Sequence, residues 1–181
     1  MEIIDIEKLN RWAKEIHDNA TAHGWHEEKH SPEHWLSLIM CEVAEAIEAD
    51  RKDKRVPSRA YIGKFVMNTD EQYNAWYEAF IKGRIEEEFS DIVIRLLDMA
   101  VECNCSIQYY ECYEFNEKKI FSEQAWFFVT HLLGSTVYGI NAAISFMYSW
   151  AEHLGINLDQ HIEWKMKYNE SRPYKHGGKK Y

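Results

Sequence analysis

The stretch from Leu38 to Asp50, LIMCEVAEAIEAD, has the spacing of an amphipathic helix, yet two carboxylates interrupt its apolar residues. On a helical wheel Glu42 falls inside the apolar arc, and Glu45 falls at the edge of that arc. An ionised carboxylate that is buried alone costs several kcal/mol, so such a group is normally neutralised or paired with a cation. We therefore expect Glu42 to face either a basic side chain or a metal ion.

Local helix signals continue along the rest of the chain. Asp5 is placed to cap a first helix that ends at Gly24. Ser31 followed by Pro32 is a start signal for the helix that carries the two carboxylates. We predict helices over about Ser31–Asp50, Asp70–Phe80, Ile85–Val101 and Leu158–Glu170. Ser122 is placed to cap a long apolar region that reaches His153 and breaks near Gly134 or Gly139. No alternating strand pattern is present, so the predicted fold class is all-α.

The composition is that of a folded domain. Hydrophobic residues make up 46% of the 181 residues, and only 3 Pro and 8 Gly are present. We predict one helical domain over 1–181, with an insertion at about 51–84 and an aromatic helical region at about 104–153.

The net charge, the N-terminus and the cysteine spacing indicate which partners, location and thiol state to expect. A formal charge of −9 argues against a nucleic acid polymer or an anionic membrane as partner, although a bound divalent cation still permits an anionic small substrate. The N-terminus does not resemble a secretory signal, and no apolar run is long enough to span a bilayer, so we expect a cytoplasmic protein. The pattern C-N-C-x6-C formed by Cys103, Cys105 and Cys112 is not a zinc spacing, which favours reduced thiols.

A second acidic helix is predicted in IEEEFSDIVIRLLDMA, from Ile85 to Ala100. Its residues Glu88, Asp91, Arg95 and Asp98 form one narrow stripe at spacings of three, four and three. By itself the stripe is typical of the exposed edge of a buried helix. Together with the first acidic pair, its carboxylates would complete an oxygen-only set of ligands that suits Mg²⁺ or Mn²⁺.

The paired motifs Glu42-x-x-Glu45 and Glu88-x-x-Asp91 resemble the hallmark of the MazG-like all-α nucleoside triphosphate pyrophosphohydrolases. The likeness covers about 23–49, 85–100 and 156–178. It extends to the C-terminal row formed by Lys165, Asn169 and Arg172. The separation of the two motifs is longer than is usual in the family, and the aromatic region has no counterpart in its compact members.

The resemblance implies a specific reaction and cofactor. It implies Mg²⁺-dependent hydrolysis of a (deoxy)nucleoside triphosphate between the α and β phosphates, which gives a monophosphate and pyrophosphate. Glu42, Glu45, Glu88 and Asp91 would hold Mg²⁺, with Mn²⁺ as the other candidate ion. The resemblance also implies a helical core that is completed in a homodimer or homotetramer. Within this scheme we assign Glu45 as the base that accepts the proton of the attacking water.

Further residues are candidates for contact with the nucleotide. Basic side chains grip phosphate oxygens, and aromatic rings stack on bases. The candidates for substrate binding are Lys165, Asn169, Arg172, Lys29, Arg95, Trp35 and Trp25. The tryptophan positions equally fit a core role, and the C-terminal cations equally fit a solvated helix face. We interpret His23, His26, His30 and His34 as exposed loop residues, because their spacing is irregular.

Three other functions are compatible with the same residues. One is a phosphoribosyl-ATP pyrophosphatase of similar architecture. Another is a di-iron helical bundle, which needs two E-x-x-H motifs, whereas only Glu27-x-x-His30 has that spacing. The third is a non-enzymatic helical interaction module in which the acids form salt bridges with basic residues.

Overall fold

A computed structural model describes residues 4–63, 67–108 and 116–178, and every regular element in these ranges is helical. The all-α fold class predicted from the sequence is therefore confirmed. In chain order the elements are α1 Ile6–Ala22, α2 Pro32–Arg51, α3 Ser58–Gly63, α4 Asp70–Phe80, α5 Ile85–Glu102, α6 Phe121–Phe127 with a π-helical turn Phe128–Leu132, α7 Val137–His153, α8 Leu158–Glu170 and α9 Lys175–Gly178.

Side-chain caps explain where several helices begin. The carboxylate of Asp5 accepts a hydrogen bond from the Lys8 amide at 2.9 Å, which caps α1 as predicted. The side chain of Asn157 accepts one from the Gln160 amide at 3.0 Å and caps α8. Helix α2 begins with Pro32 at its first position, where a missing N–H leaves no hydrogen bond unmade.

The predicted cap at Ser122 is wrong. Helix α6 begins one residue earlier, at Phe121, and its N-cap residue is Ile120. The carboxylate of Glu123 reaches back and accepts a hydrogen bond from the Ile120 amide at 3.1 Å, so an acid at the third helical position helps to set this helix start. The apolar region breaks before α7, as predicted. A Cβ on Gly139 would lie 2.9 Å from the Cα of Gly134, so this break requires a glycine where the two segments meet.

Helix α5 occupies the centre of the main core and packs against α1, α2, α7 and α8. Phe89, Leu96 and Leu97 on this helix have no exposed surface. Helices α6 and α7, from the predicted aromatic region, pack on the same core, to which the π-helical turn adds Phe128 and α7 adds Phe146. This packing places the first part of the acidic stripe of α5 beside α2 and α8, and its last residue, Asp98, beside α1.

A second, aromatic cluster joins α4 to α8. The rings of Tyr77 and Tyr168 stack with centroids 4.3 Å apart, and Trp76 meets Trp164 edge to face at 5.0 Å. The segment predicted as an insertion thus supports one side of α8. None of the helices in the described ranges has the length and apolar character needed to cross a bilayer. Cys41, Cys103 and Cys105 are free thiols, and Cys112 lies outside the described residues.

Candidate functional site

The packing of α2 on α5 brings acidic side chains of both helices together. One carboxylate oxygen from each of Glu42, Glu45 and Glu88 lies within 4.8 Å of the other two. Glu42 is buried, as its place inside the apolar arc predicted, and Glu45, which the helical wheel placed at the edge of that arc, is exposed. Glu88 is only 3% exposed, so the interpretation of its stripe as a solvated edge is wrong. Asp91, one turn further along α5, lines the same cavity as these three residues.

The site gathers more negative charge than the surrounding groups neutralise. Burial, followed by the negative charges of Asp91 and Glu87, raises the pKa of Glu88 to about 9. Burial also raises the pKa of Asp91, while the neighbouring Lys165 acts in the opposite direction. A divalent cation bound here would relieve the repulsion between these carboxylates.

Two basic side chains contact the acids directly. Nε and Nη2 of Arg95 lie 2.7 Å and 2.6 Å from Oε1 of Glu42, so this arginine is the cation that the buried carboxylate needed. Nζ of Lys165 lies 2.7 Å from Glu87 and 2.7 Å from Asp91. Although burial lowers the pKa of Lys165, the Asp91 and Glu87 carboxylates raise it more, and the amine is charged at neutral pH. Both cations, predicted as substrate ligands, are paired with protein carboxylates.

A cavity of about 420 Å³ lies beside the acids, a volume typical of small-molecule sites. Most of the residues predicted for the site line it: Glu42, Glu45, Glu88, Asp91, Arg95, Lys165, Asn169, Arg172, Trp25 and Trp35. Lys29 does not belong to this set. It is exposed and lies outside the cavity lining, so we remove it from the predicted site.

Two buried polar atoms of the cavity residues have no hydrogen-bond partner within the described parts of the chain. They are Nε1 of Trp35, a donor, and Oδ1 of Asn169, an acceptor. Trp35 is 8% exposed, so its indole N–H is largely removed from bulk water. An unmade hydrogen bond in a buried place costs about 1–3 kcal/mol, and a polar ligand in the cavity would supply the missing partners.

The C-terminal segment forms part of the rim through contacts with the turn after α1. The amide of Lys175 donates to the carbonyl of His23 at 3.0 Å, and Nε2 of His23 lies 2.8 Å from the carbonyl of Arg172. Gly24 has φ +83°, and a Cβ there would lie 2.4 Å from the ring of Tyr174. This close approach holds Arg172 at the cavity.

Sequence reasoning missed several residues of this region. Glu87 is buried, lines the cavity and binds Lys165, although only its neighbour Glu88 belongs to the predicted motif. The available signal was the run of three glutamates at the start of α5, since a helix N-terminus stabilises nearby anions. The prediction of exposed histidines is also wrong. The side chain of His26 is 8% exposed and lies 2.9 Å from Asp98, a contact that spacing along the chain cannot reveal.

Comparisons of the chain with protein-family models, with curated proteins and with solved structures find no match. The resemblance to the MazG-like family therefore stays a prediction that rests on the residues of this chain.

Proposed function

We propose that this protein is a Mg²⁺-dependent nucleoside triphosphate pyrophosphohydrolase of MazG-like type, which cleaves the bond between the α and β phosphates. One observation carries the proposal: carboxylates of Glu42, Glu45 and Glu88 converge from two helices on a cavity that Arg172 also lines. Oxygen-only ligands beside cationic side chains are what a metal-bound polyphosphate requires.

The donor set fits a hard divalent cation. Glu42, Glu45, Glu88 and Asp91 would hold Mg²⁺, with Mn²⁺ as a substitute, because all four offer oxygen and the pKa of Glu88 is already raised by burial and crowded charge. When bound, the ion would neutralise phosphate oxygens and lower the pKa of the attacking water.

The roles of the surrounding residues are inferred from their exposure and contacts. Glu45 is the most exposed acid of the cluster, which suits it to accept the proton of a water that enters from the cavity. Arg95 and Lys165 hold Glu42 and Asp91 by direct ion pairs, so we now assign them to positioning these acids.

The nucleotide would be bound by residues whose polar groups are available in the cavity. Arg172 provides a guanidinium for the phosphates. Trp25 and Trp35 provide rings for the base, and the unpaired Nε1 of Trp35 and Oδ1 of Asn169 provide a donor and an acceptor for its polar edge.

We extend the proposal to a homodimer or homotetramer that acts in the cytoplasm. The support is a group of large side chains that are exposed within a short part of the chain: Ile120, Trp126, Val137 and Tyr138. A Trp126→Glu variant is expected to have a lower mass than the wild type in size-exclusion chromatography with light scattering. A monomeric wild type would contradict this extension.

The test of the reaction uses purified protein and a panel of ribo- and deoxynucleoside triphosphates together with phosphoribosyl-ATP. Phosphorus NMR of the products identifies which bond is broken. We expect a nucleoside monophosphate and pyrophosphate in the presence of Mg²⁺ and no turnover in EDTA. Nucleoside diphosphate and inorganic phosphate, or turnover of phosphoribosyl-ATP alone, would contradict the proposed activity.

A matched pair of variants on α2 ties the activity to the cluster. Glu45→Gln removes a carboxylate at the cavity, whereas Glu48→Gln, one turn later, removes one that pairs with Arg51 and Lys52. We expect pyrophosphate release to be lost in the first variant and retained in the second. Equal activity of the two variants would overturn the assignment.

A further inference from the structure

A second cluster of potential ligands lies at the other end of α5. His17 of α1, His26 of the turn after α1 and Glu102 of α5 each offer one ligand atom, and these three atoms lie within 4.8 Å of one another. Their side chains are between 8% and 27% exposed, so the cluster is shielded but open to solvent. None of these residues belongs to the carboxylate site described above.

Asp98 orients both imidazole rings. Its Oδ1 lies 2.8 Å from Nδ1 of His17 and 2.9 Å from Nε2 of His26. Each histidine thus places one ring nitrogen on Asp98, and its second nitrogen is the one that a metal ion would bind. Nδ1 of His26 lies 3.4 Å from Oε2 of Glu102. Metal-binding histidines typically donate their second N–H to a carboxylate, which fixes the tautomer and directs the other nitrogen to the ion.

We propose that His17, His26 and Glu102 bind a divalent transition-metal ion, best matched by Zn²⁺, and that Asp98 positions the two imidazoles. Two nitrogens and one carboxylate oxygen suit Zn²⁺, Fe²⁺ or Ni²⁺, whereas the oxygen-only cluster near Glu42 suits Mg²⁺. The carboxylates of Asp98 and Glu102 balance the charge of the ion. The site would link α1, the following turn and α5.

The competing explanation is that the histidines only form ion pairs with Asp98. Their ring centroids are 4.2 Å apart, and Nδ1 of His26 lies 3.4 Å from Oε2 of Glu102. The three side chains are therefore close enough to share one metal ion, a convergence that ion pairs with Asp98 alone do not require. This proposal is independent of the pyrophosphohydrolase activity, because its three ligands do not line that cavity and bind a different class of ion. The positioning residue Asp98 is shared with the cavity lining.

The test uses the full-length protein, stripped with EDTA and returned to buffer with excess Mg²⁺. The Mg²⁺ occupies oxygen-only sites and leaves the imidazole site open. Co²⁺ is then titrated and followed by visible absorption, and Zn²⁺ is added in competition. We expect one Co²⁺ per chain with a spectrum typical of nitrogen ligation, which Zn²⁺ abolishes. Absence of such a spectrum in the wild type would overturn the proposal.

Variants separate ligands from the residue that positions them. Glu102→Gln removes a ligand but keeps both contacts of Asp98 with the imidazoles, so the protein is expected to fold and to bind Co²⁺ more than about 10-fold more weakly. Asp98→Asn is expected to weaken binding about 10- to 100-fold. Glu45→Gln serves as the control and should leave this Co²⁺ spectrum unchanged. Wild-type affinity in both Glu102→Gln and His26→Ala would show that only ion pairs are present.

Discussion

The two ends of helix α5 carry acids in one continuous stripe, but their electrostatic surroundings are opposite. Near the N-terminal end, burial and neighbouring carboxylates raise the pKa of Glu88 to about 9. Near the C-terminal end burial also raises the pKa of Asp98, yet hydrogen bonds with His17 and His26 outweigh it and hold the value below its usual range. Glu88 and Asp98 are both carboxylic acids of the same stripe, so their partners decide whether the pKa is raised or lowered.

The opposite pKa shifts of Glu88 and Asp98 show two ways in which a protein accommodates a buried acid. At the Asp98 end, imidazoles from α1 and the following turn form hydrogen bonds with the carboxylate and lower its pKa within the protein. At the Glu88 end, the ion pairs of Arg95 and Lys165 with the acids leave the repulsion only partly relieved. The uncompensated end is the one where Glu88 meets Glu42 and Glu45, and a divalent cation would relieve most repulsion between carboxylates there.

The largest effect is expected from Asp91→Asn. This variant removes a proposed metal ligand while keeping the shape of the side chain, so Mg²⁺-dependent pyrophosphate release should fall by more than about 100-fold. Loss of a residue that merely supports a metal ligand already costs about 10- to 100-fold. Steady-state kinetics provide the measurement, with Glu48→Gln as the control that keeps wild-type rates. Turnover of Asp91→Asn near that of the control would contradict the proposal that this end of α5 binds the catalytic metal ion.

Asp98→Asn should have the largest effect on stability. The substitution leaves two imidazoles without their anion, and removing one partner of a buried pair costs about 3–5 kcal/mol. We expect the Tm in EDTA to fall by roughly 10 °C, since about 2–4 °C corresponds to 1 kcal/mol in a chain of this size. Differential scanning calorimetry measures the shift. A Tm equal to that of Glu48→Gln would show that the histidines do not need this acid.

His161 tests what happens to a buried histidine that lacks an acid. Its Nε2 lies 3.0 Å from the hydroxyl of Tyr61, and burial lowers its pKa from 6.5 to about 4. The unfolded chain therefore binds a proton near pH 6.5 that the folded chain resists, so stability is full above that pH and falls toward pH 4. The loss amounts to about 3 kcal/mol.

Urea unfolding at a series of pH values measures this loss. In His161→Gln the decline between pH 6.5 and pH 4 should become shallower than in the wild type. Parallel curves for the two proteins would show that other groups cause the acid sensitivity.

An effect of opposite sign is expected from Glu88→Gln. Because its pKa is raised to about 9, the buried carboxyl opposes folding at pH 8, where the unfolded chain ionises freely. Neutralising it should raise the Tm in EDTA by about 3 °C or more, which corresponds to roughly 1 kcal/mol. Mg²⁺ should stabilise the wild type but not the variant. A decrease in Tm, as expected for Asp98→Asn, would show that Glu88 favours folding in the same way as Asp98.

Much of the helical framework could be predicted because its signals are local. The caps at Asp5 and Asn157 act on amides three residues away, and the periodicity that buries Glu42 is contained within one helix. The prediction failed at Ser122, where the neighbouring Glu123 accepts a hydrogen bond from the amide of Ile120 and the helix begins one residue earlier. Both signals are local, so the order of residues alone did not decide between the two starting points.

The contacts of the candidate site join residues that are far apart in the chain. Arg95 reaches from α5 to Glu42 on α2, and Lys165 reaches Glu87 and Asp91 from α8. The sequence predicted that the buried Glu42 needs a cation, but the choice of Arg95 depends on how α2 packs on α5. Lys165 was likewise predicted to bind the substrate, because the sequence does not show that α8 packs on α5. In the structure it is paired with Glu87 and Asp91 instead.

The order of residues alone determines an all-helical chain, the burial of Glu42 and the motif pair on α2 and α5. Periodicity and capping produce these features, because both act within a few residues. The partner of each acid depends on how the helices pack, since the burial and the pKa of a carboxyl group depend on its neighbours in space. The compensated Asp98 and the uncompensated Glu88 lie on one helix, and only tertiary contacts make them different.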